Sequence, residues 1–132
     1  MKVQLEKAID KYITPLAVEH RFSSINEEAY GMGALHDYEA QNLFIRVVND
    51  KGIISIEIAP KNHPNKTWDI AIYNEFLEPP KNGVLNLSLL QQTEFLNNNW
   101  VWLNDALSET NYKETLKGIA QAGKRRSDIL FS

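Results

Sequence analysis

The sequence predicts a single α+β domain over residues 1–132, with an antiparallel sheet of three to four strands packed against an N-terminal helix and two C-terminal helices. Two runs of β-branched residues flank a turn near the middle of the chain, which predicts a hairpin. Amphipathic helical patterns precede and follow this hairpin. A chain of this length buries about two-thirds of its unfolded surface, which is enough for one core.

Apolar residues recur at spacings of three and four near the N-terminus, which predicts an amphipathic helix of about four turns. Pro15 leaves the end of this helix open, because the residue before a proline avoids the helical region. The following segment, 23–28, is polar and is predicted to be a loop. The residues that form the apolar stripe are Val3, Leu5, Ile9, Tyr12, Ile13 and Leu16.

Large and small residues alternate from Tyr30 to Tyr38, which predicts the first strand. Gly31 and Gly33 within it favour a bulge or a close approach of the backbone. A dinucleotide-binding fingerprint would need a third glycine and a following helix, and this segment has neither.

The runs 43–48 and 53–58 form the predicted hairpin, and Gly52 can supply the positive φ that its turn requires. With Asp50 and Lys51 as the loop residues, Val47 faces Ile54. A shift of one residue in register would move all of these aliphatic side chains to the other face of the sheet, so the pattern strongly specifies which residues face the core. The residues predicted to face the helices are Leu43, Ile45, Val47, Ile54, Ile56 and Ile58.

The same register places a mixed, wetter surface on the other side of the hairpin. Phe44 then lies opposite Glu57, and Arg46 lies opposite Ser55.

Residues 68–77 begin with the alternation of a strand and continue with the four-residue spacing of a helix. We favour a short strand near Trp68 that runs into a helix with Asp69 as its N-cap. This helix is predicted to end before Pro79-Pro80.

The last third of the chain is predicted to be helical. Ser88 and Gln91 form a capping box, and a broad apolar stripe follows it. Trp100 lies within this stripe and is predicted to be core, whereas Trp102 is either exposed or covered by the sheet. A final helix carries Lys124-Arg125-Arg126 in its last turn, where the cations would complement the helix dipole rather than meet a phosphate.

Composition excludes several classes of protein. The chain has no cysteine, which excludes disulfides, thiolate metal sites and cysteine nucleophiles and suits the cytosol. A net charge of −3 argues against nucleic acid as a partner and leaves room for a basic protein. The N-terminus lacks the apolar core of a signal peptide, and no stretch approaches the roughly 18 apolar residues of a membrane helix. We therefore expect a cytoplasmic location.

No motif for catalysis or metal binding is present in the sequence. His20, His36 and His63 lie far apart, without the paired spacing of a helical zinc site. No serine has the G-x-S-x-G context of a hydrolase nucleophile. Carboxylate pairs such as Glu75 and Glu78 could divide acid and base roles if burial separated their pKa values, but a solvated surface is the preferred interpretation. We expect no catalytic residues, cofactor or metal.

Several features together resemble small bacterial immunity proteins that are encoded beside contact-dependent or polymorphic toxins. They are a helix that ends near a short polar loop, a strand with Tyr30-Gly31, the hairpin over 46–52 and the pair Trp68-Asp69. The resemblance implies a non-enzymatic protein that binds the catalytic domain of a toxin and blocks its substrate site.

The first hypothesis is therefore an immunity protein or another intracellular protein-binding domain whose acidic surface steers a basic toxin domain. Its candidate partner-binding residues are Asp37, Glu39, Glu57, Asp69, Glu75 and Glu78. The alternative is a small enzyme or ligand-binding domain that uses a cleft between the sheet and the C-terminal helices. Its candidate residues are Tyr30, His36, Tyr38 and Trp68.

Overall fold

The computed structural model describes residues 2–131, in which five antiparallel strands form one sheet in chain order. The strands are β1 (Ser23–Tyr30), β2 (Gly33–Ala40), β3 (Leu43–Asp50), β4 (Ile53–Pro60) and β5 (Trp68–Asp69). The N-terminal helix consists of α1 (Lys2–Ala8), a π-helical turn (Ile9–Ile13) and α2 (Thr14–His20). The other helices are α3 (Ile70–Leu77), α4 (Leu89–Asn98), α5 (Trp100–Ala106) and α6 (Tyr112–Phe131). The predicted α+β class is confirmed, but the sheet has more strands than expected and three helices, α4 to α6, replace the two predicted at the C-terminus.

The N-terminal helix passes through Pro15 because the π-helical turn lies directly before it. The backbone N–H of Thr14 bonds to the carbonyl of Ile9, and the Thr14 hydroxyl donates to the same oxygen at 3.2 Å. This wider turn relieves the clash that a proline ring makes with the carbonyl one turn back in a regular α-helix. The helix therefore continues to His20 and ends at Arg21, whose φ is 57°.

The segment predicted to be a loop after this helix is strand β1. The strand predicted from Tyr30 to Tyr38 is present over residues 33–38 as part of β2, but its first residues belong to the end of β1 and to a turn. Gly31, with a φ of 31°, and Met32 form the turn of a β1–β2 hairpin. A Cβ atom on Gly33 would lie 2.6 Å from the ring of Tyr30, its partner across the hairpin. The large–small alternation therefore reflects packing between two strands.

The loop of the central hairpin lies one residue later than predicted. Lys51 and Gly52 are the loop residues, and their φ values of 53° and 91° are those of a type I′ turn. Val47 consequently pairs with Ile56, so the predicted register was wrong by two residues. A shift of two is one full period of a strand, so the aliphatic side chains remain on the predicted face.

The face of the sheet that contacts the helices, here called the inner face, carries most of the core. Helix α1 packs on β2 and β3, and α4 packs on β4. Ile54 is half-buried, whereas the other five predicted residues have no exposed surface. Those five are Leu43, Ile45, Val47, Ile56 and Ile58.

Helix α4 also closes one edge of the sheet. The N–H of Ile56 donates to Oε1 of Gln92 at 2.8 Å, and Gln92 Nε2 donates to the carbonyl of Leu87 at 3.1 Å and, more weakly, to that of Ile54 at 3.5 Å. The buried amide of Gln92 thus takes the place of a neighbouring strand where β5 does not reach. The capping box predicted for α4 is present, with reciprocal bonds between Ser88 and Gln91.

The predicted transition from strand to helix after Trp68 is confirmed. A carboxylate oxygen of Asp69 accepts the N–H of Ala71 at 2.8 Å and caps α3. The indole of Trp68 lies against α6, where a Cβ on Gly123 would approach it to 2.7 Å. Trp102 is half-buried beside Phe76 of α3, with ring centroids 6.1 Å apart.

Truncation of Ile56 tests the observed packing of the inner face. We expect Ile56→Ala to lower the free energy of unfolding by about 2–5 kcal/mol, because it leaves a cavity among fully buried side chains. Chemical denaturation measures this loss. Ile53→Ala in the same strand is the control, since Ile53 is 74% exposed and its truncation should cost less than about 0.5 kcal/mol. A loss below about 1 kcal/mol for Ile56→Ala would contradict this packing.

Candidate functional site

A row of polar side chains crosses the face of the sheet opposite the helices, here called the outer face. Directly paired residues of antiparallel strands project to the same side, so register alone brings this row together. Each residue of the row pairs with the next one across the five strands. The row, here called the polar row, is Asn26, Asp37, Arg46, Glu57 and Asp69.

The centre of the polar row is a two-pronged ion pair. Arg46 donates from Nε to Oδ1 of Asp37 at 2.7 Å and from Nη2 to Oδ2 at 3.0 Å. Asn26 donates to the same carboxylate at 3.2 Å, and the Asp37 side chain is only 4% exposed. The hydrogen bond to Asp37 raises the pKa of Arg46. The guanidinium carbon also lies 5.5 Å from the ring centroid of Phe44, and the Phe44 side chain is buried.

The other two carboxylates of the polar row are partly desolvated. Burial raises the pKa of Glu57, with a further contribution from Asp69, although Arg46 opposes the shift. Burial also raises the pKa of Asp69, against the hydrogen bond from Ala71 and the charge of Arg126. The charge of Arg46 is already balanced by Asp37. Glu57 and Asp69 therefore leave an excess of negative charge at the β4–β5 end of the polar row.

Acidic side chains outnumber basic ones on the strands of the outer face. Its strand residues carry six carboxylates and a single guanidinium, that of Arg46. The carboxylates belong to Glu28, Asp37, Glu39, Asp50, Glu57 and Asp69. The net charge of the whole chain is only −3, so negative charge is concentrated here.

Four of the six predicted partner-binding residues lie on this face: Asp37, Glu39, Glu57 and Asp69. Sequence reasoning missed two members of the polar row. Asn26 was placed in a loop, and Arg46 was placed opposite Ser55 because of the two-residue error in register. Residues 23–28 are polar except for Ile25, so no apolar alternation signals the first strand in the sequence.

Glu75 and Glu78 are not part of the outer face, and Glu75 is not the exposed residue that was expected. Its side chain is 2% exposed, because its side of α3 packs against α6. Oε1 of Glu75 accepts Arg126 Nη1 at 3.0 Å and the N–H of Leu85 at 2.7 Å. Glu78, directly after α3, is exposed.

The basic triplet does not lie in the last turn of its helix, because α6 continues to Phe131. Its expected role at the helix dipole is therefore wrong. Lys124 pairs with Asp128 at 2.9 Å, and Arg125 donates to the carbonyls of Pro80 and Gly83. The contacts of Arg125, together with the bond from Arg126 to the carbonyl of Leu85, hold the irregular segment 78–88 against α6.

The residues proposed for a ligand-binding cleft do not converge. His36 stacks on Tyr38 with ring centroids 4.3 Å apart, and its Nε2 lies 2.7 Å from Oγ of Ser24. Burial raises the pKa of Tyr38 to about 12. Tyr30 is exposed beside the first hairpin turn, whereas Trp68 lies against α6.

Residues 2–131 contain neither a metal-binding cluster nor a membrane-spanning helix. No group of three or more histidine, aspartate or glutamate side chains could hold a metal ion within that range. No helix there is both long and apolar enough to cross a membrane.

Comparison with protein-family models, curated proteins and solved structures found no match to this chain.

Loss of Arg126 tests the buried ion pair. We expect Arg126→Met to lower the free energy of unfolding by about 3 kcal/mol, because Glu75 is left as an uncompensated buried charge. The double variant Arg126→Met/Glu75→Gln should recover most of this loss, since the amide still accepts Leu85 without a charge. Lys124→Met, which breaks an exposed pair, is the control and should leave stability unchanged. Equal destabilisation of the single and double variants would contradict this account.

The raised pKa of Glu57 predicts a pH-dependent effect on stability. The folded protein takes up this proton at a higher pH than the unfolded chain, where the pKa has its ordinary value of 4.5. The free energy of unfolding therefore falls as the pH rises from that value through the raised pKa. Glu57→Gln should be more stable than the parent at neutral pH, and the difference should shrink as the pH falls. Denaturation at several pH values, with exposed Glu94→Gln as the matched control, measures this. A lower stability of Glu57→Gln at neutral pH would contradict it.

Proposed function

We propose that this chain is a non-enzymatic cytoplasmic protein-binding domain, and specifically an immunity protein that binds and blocks a basic toxin domain. The observation that carries the proposal is the excess of carboxylates on the outer face of the sheet, where a single guanidinium offsets them. The resemblance of the sequence to bacterial immunity proteins points to the same kind of partner.

A face of this chemistry suits the substrate cleft of a nuclease-like toxin. Such a cleft collects basic side chains to hold phosphates, and a row of carboxylates can occupy it in their place. Glu39 and Glu57 are only half-buried and retain exposed surface, so they are the proposed contacts with the toxin. The Asp37 carboxylate already accepts two hydrogen bonds from Arg46, so it supports the polar row rather than contacting the toxin.

The sheet also holds these groups in place before binding. The polar row lies on paired strands rather than on loops, and the ion pair between Asp37 and Arg46 fixes its centre. Side chains that are ordered in the free protein lose less conformational entropy on association. This favours recognition of a rigid partner surface by a rigid face.

The experiment begins with affinity capture of the tagged chain from its source cells and identification of the bound protein. We expect that protein to stop growth when produced alone and to be harmless when produced together with this chain. With the purified pair, association should slow steeply as salt rises, because exposed charges are screened over about 8–10 Å at physiological ionic strength.

The double variant Glu39→Gln/Glu57→Gln should slow association by about tenfold while dissociation changes little, as electrostatic steering predicts. Glu94→Gln removes one exposed carboxylate from α4, away from the outer face, and should leave association unchanged. Stopped-flow binding at low and high salt measures both rates. The proposal would be refuted if the captured protein is not toxic. It would also be refuted if the association rate changes neither with salt nor in the Glu39→Gln/Glu57→Gln variant.

A further inference from the structure

Strand β1 forms an open edge of the sheet along its whole length of eight residues. It pairs with β2 on one side only, and all of its residues except Asn26 are exposed. Alternate residues of an edge strand point their N–H and C=O groups away from the sheet. Within residues 2–131, no helix, loop or side chain forms a hydrogen bond to the outward backbone of Ser23–Tyr30.

The opposite edge of the sheet is closed. Strand β5 covers Glu57 and Ile58 of β4, and the side-chain amide of Gln92 satisfies Ile56 and approaches Ile54. The fold thus uses a dedicated side chain to close one edge and leaves a longer edge unpaired. An open edge of this kind is a template for another strand.

Two features of β1 disfavour a second copy of this chain as the added strand. A bulge at Ile25 interrupts the regular pairing with β2. Glu27 and Glu28 lie near the middle of the strand, so an antiparallel pair of two β1 strands would bring carboxylates close together. Like charges opposite each other destabilise a strand pair, whereas basic side chains at the same positions would stabilise it.

A pocket of about 130 Å³ lies between α1 and β1, beside the open edge. Its buried members are apolar and include Leu5, Ile9 and Ala34. This lining suits the aliphatic stem of a long side chain rather than a small polar group.

The exposed members of the pocket are mostly acidic. Three carboxylates, those of Glu6, Glu27 and Glu28, lie around it with one ammonium group, that of Lys2. Glu27 also lies 3.5 Å from Nε2 of His36. An apolar interior beneath an acidic opening fits the stem and head of an arginine or lysine.

We propose that β1 accepts an extended segment of a partner protein as a sixth strand, and that an arginine or lysine of this segment enters the pocket between α1 and β1. Main-chain hydrogen bonds supply affinity in this mode, and the pocket supplies specificity. The inference rests on the proposed function for its basic partner, and it adds the part of the molecule that the partner engages and the backbone conformation that it adopts there.

The test uses an eight-residue capped peptide of alternating arginine and valine as the probe. Titration into the full chain is followed by NMR, through backbone amide shifts and amide hydrogen exchange. We expect slower exchange at alternate amides of β1 and shifts at residues around the pocket. The same peptide with glutamate in place of arginine should bind at least about tenfold more weakly.

Two further measurements separate strand addition from simple charge attraction. In an alternating peptide the amides of the arginines and of the valines lie on opposite edges. N-methylation of one of these two sets should abolish binding, and methylation of the other set should be tolerated. Glu27→Gln should weaken binding about tenfold, as loss of a charged hydrogen bond predicts, whereas exposed Glu94→Gln should not.

The inference is overturned if the arginine peptide leaves β1 exchange unchanged, if both methylated peptides bind as well as the parent, or if Glu27→Gln has no effect. These results would leave the proposed function intact, because that function is tested by capture of the natural partner and by neutralisation of Glu39 and Glu57 on other strands. Conversely, protection of β1 by the peptide without any toxic partner in cells would support strand addition and refute the immunity function.

Discussion

Two positive φ angles, at Lys51 and Gly52, turn β3 back onto β4 with only two loop residues between them. A turn of this type matches the right-handed twist of the strands and allows a single register. In that register Val47 pairs with Ile56 on the inner face of the sheet, and Arg46 pairs with Glu57 on the outer face. The core and the candidate binding face therefore depend on the same pair of backbone angles.

The outer face balances two opposing electrostatic effects. A carboxylate loses hydration when it is partly buried, and this cost is visible in the raised pKa values of Glu57 and Asp69. The ion pair between Arg46 and Asp37 offsets the cost only at the centre of the polar row. Arg46 and Arg126 compensate Glu57 and Asp69 only in part, so these carboxylates add to a local negative potential that a basic partner would neutralise. The partly desolvated carboxylates are mildly unfavourable in the free protein, and a basic partner that neutralises them would therefore gain affinity for this face.

The C-terminal half of the fold depends on a different electrostatic contact. Glu75 and Arg126 meet across the packing of α3 and α6, and both also bond to the backbone of Leu85. The pair therefore joins two helices to the irregular chain between α3 and α4. With Gln92 closing the nearby edge of β4, this side of the domain is closed. The β1 side, by contrast, retains unpaired backbone, which is where we place the added strand.

Local sequence by itself determined the α+β class, the capping box of α4, the strand-to-helix transition at Asp69 and the inward face of the aliphatic strands. Each of these follows from neighbouring residues, through capping, side-chain periodicity or conformational preference. The register of β3 and β4 did not, because two registers that differ by two residues bury the same aliphatic set. The first strand was missed because an exposed edge strand carries no apolar alternation. The burial of Glu75 and the assembly of the polar row were decided by tertiary structure, since a carboxylate's environment depends on elements distant in sequence.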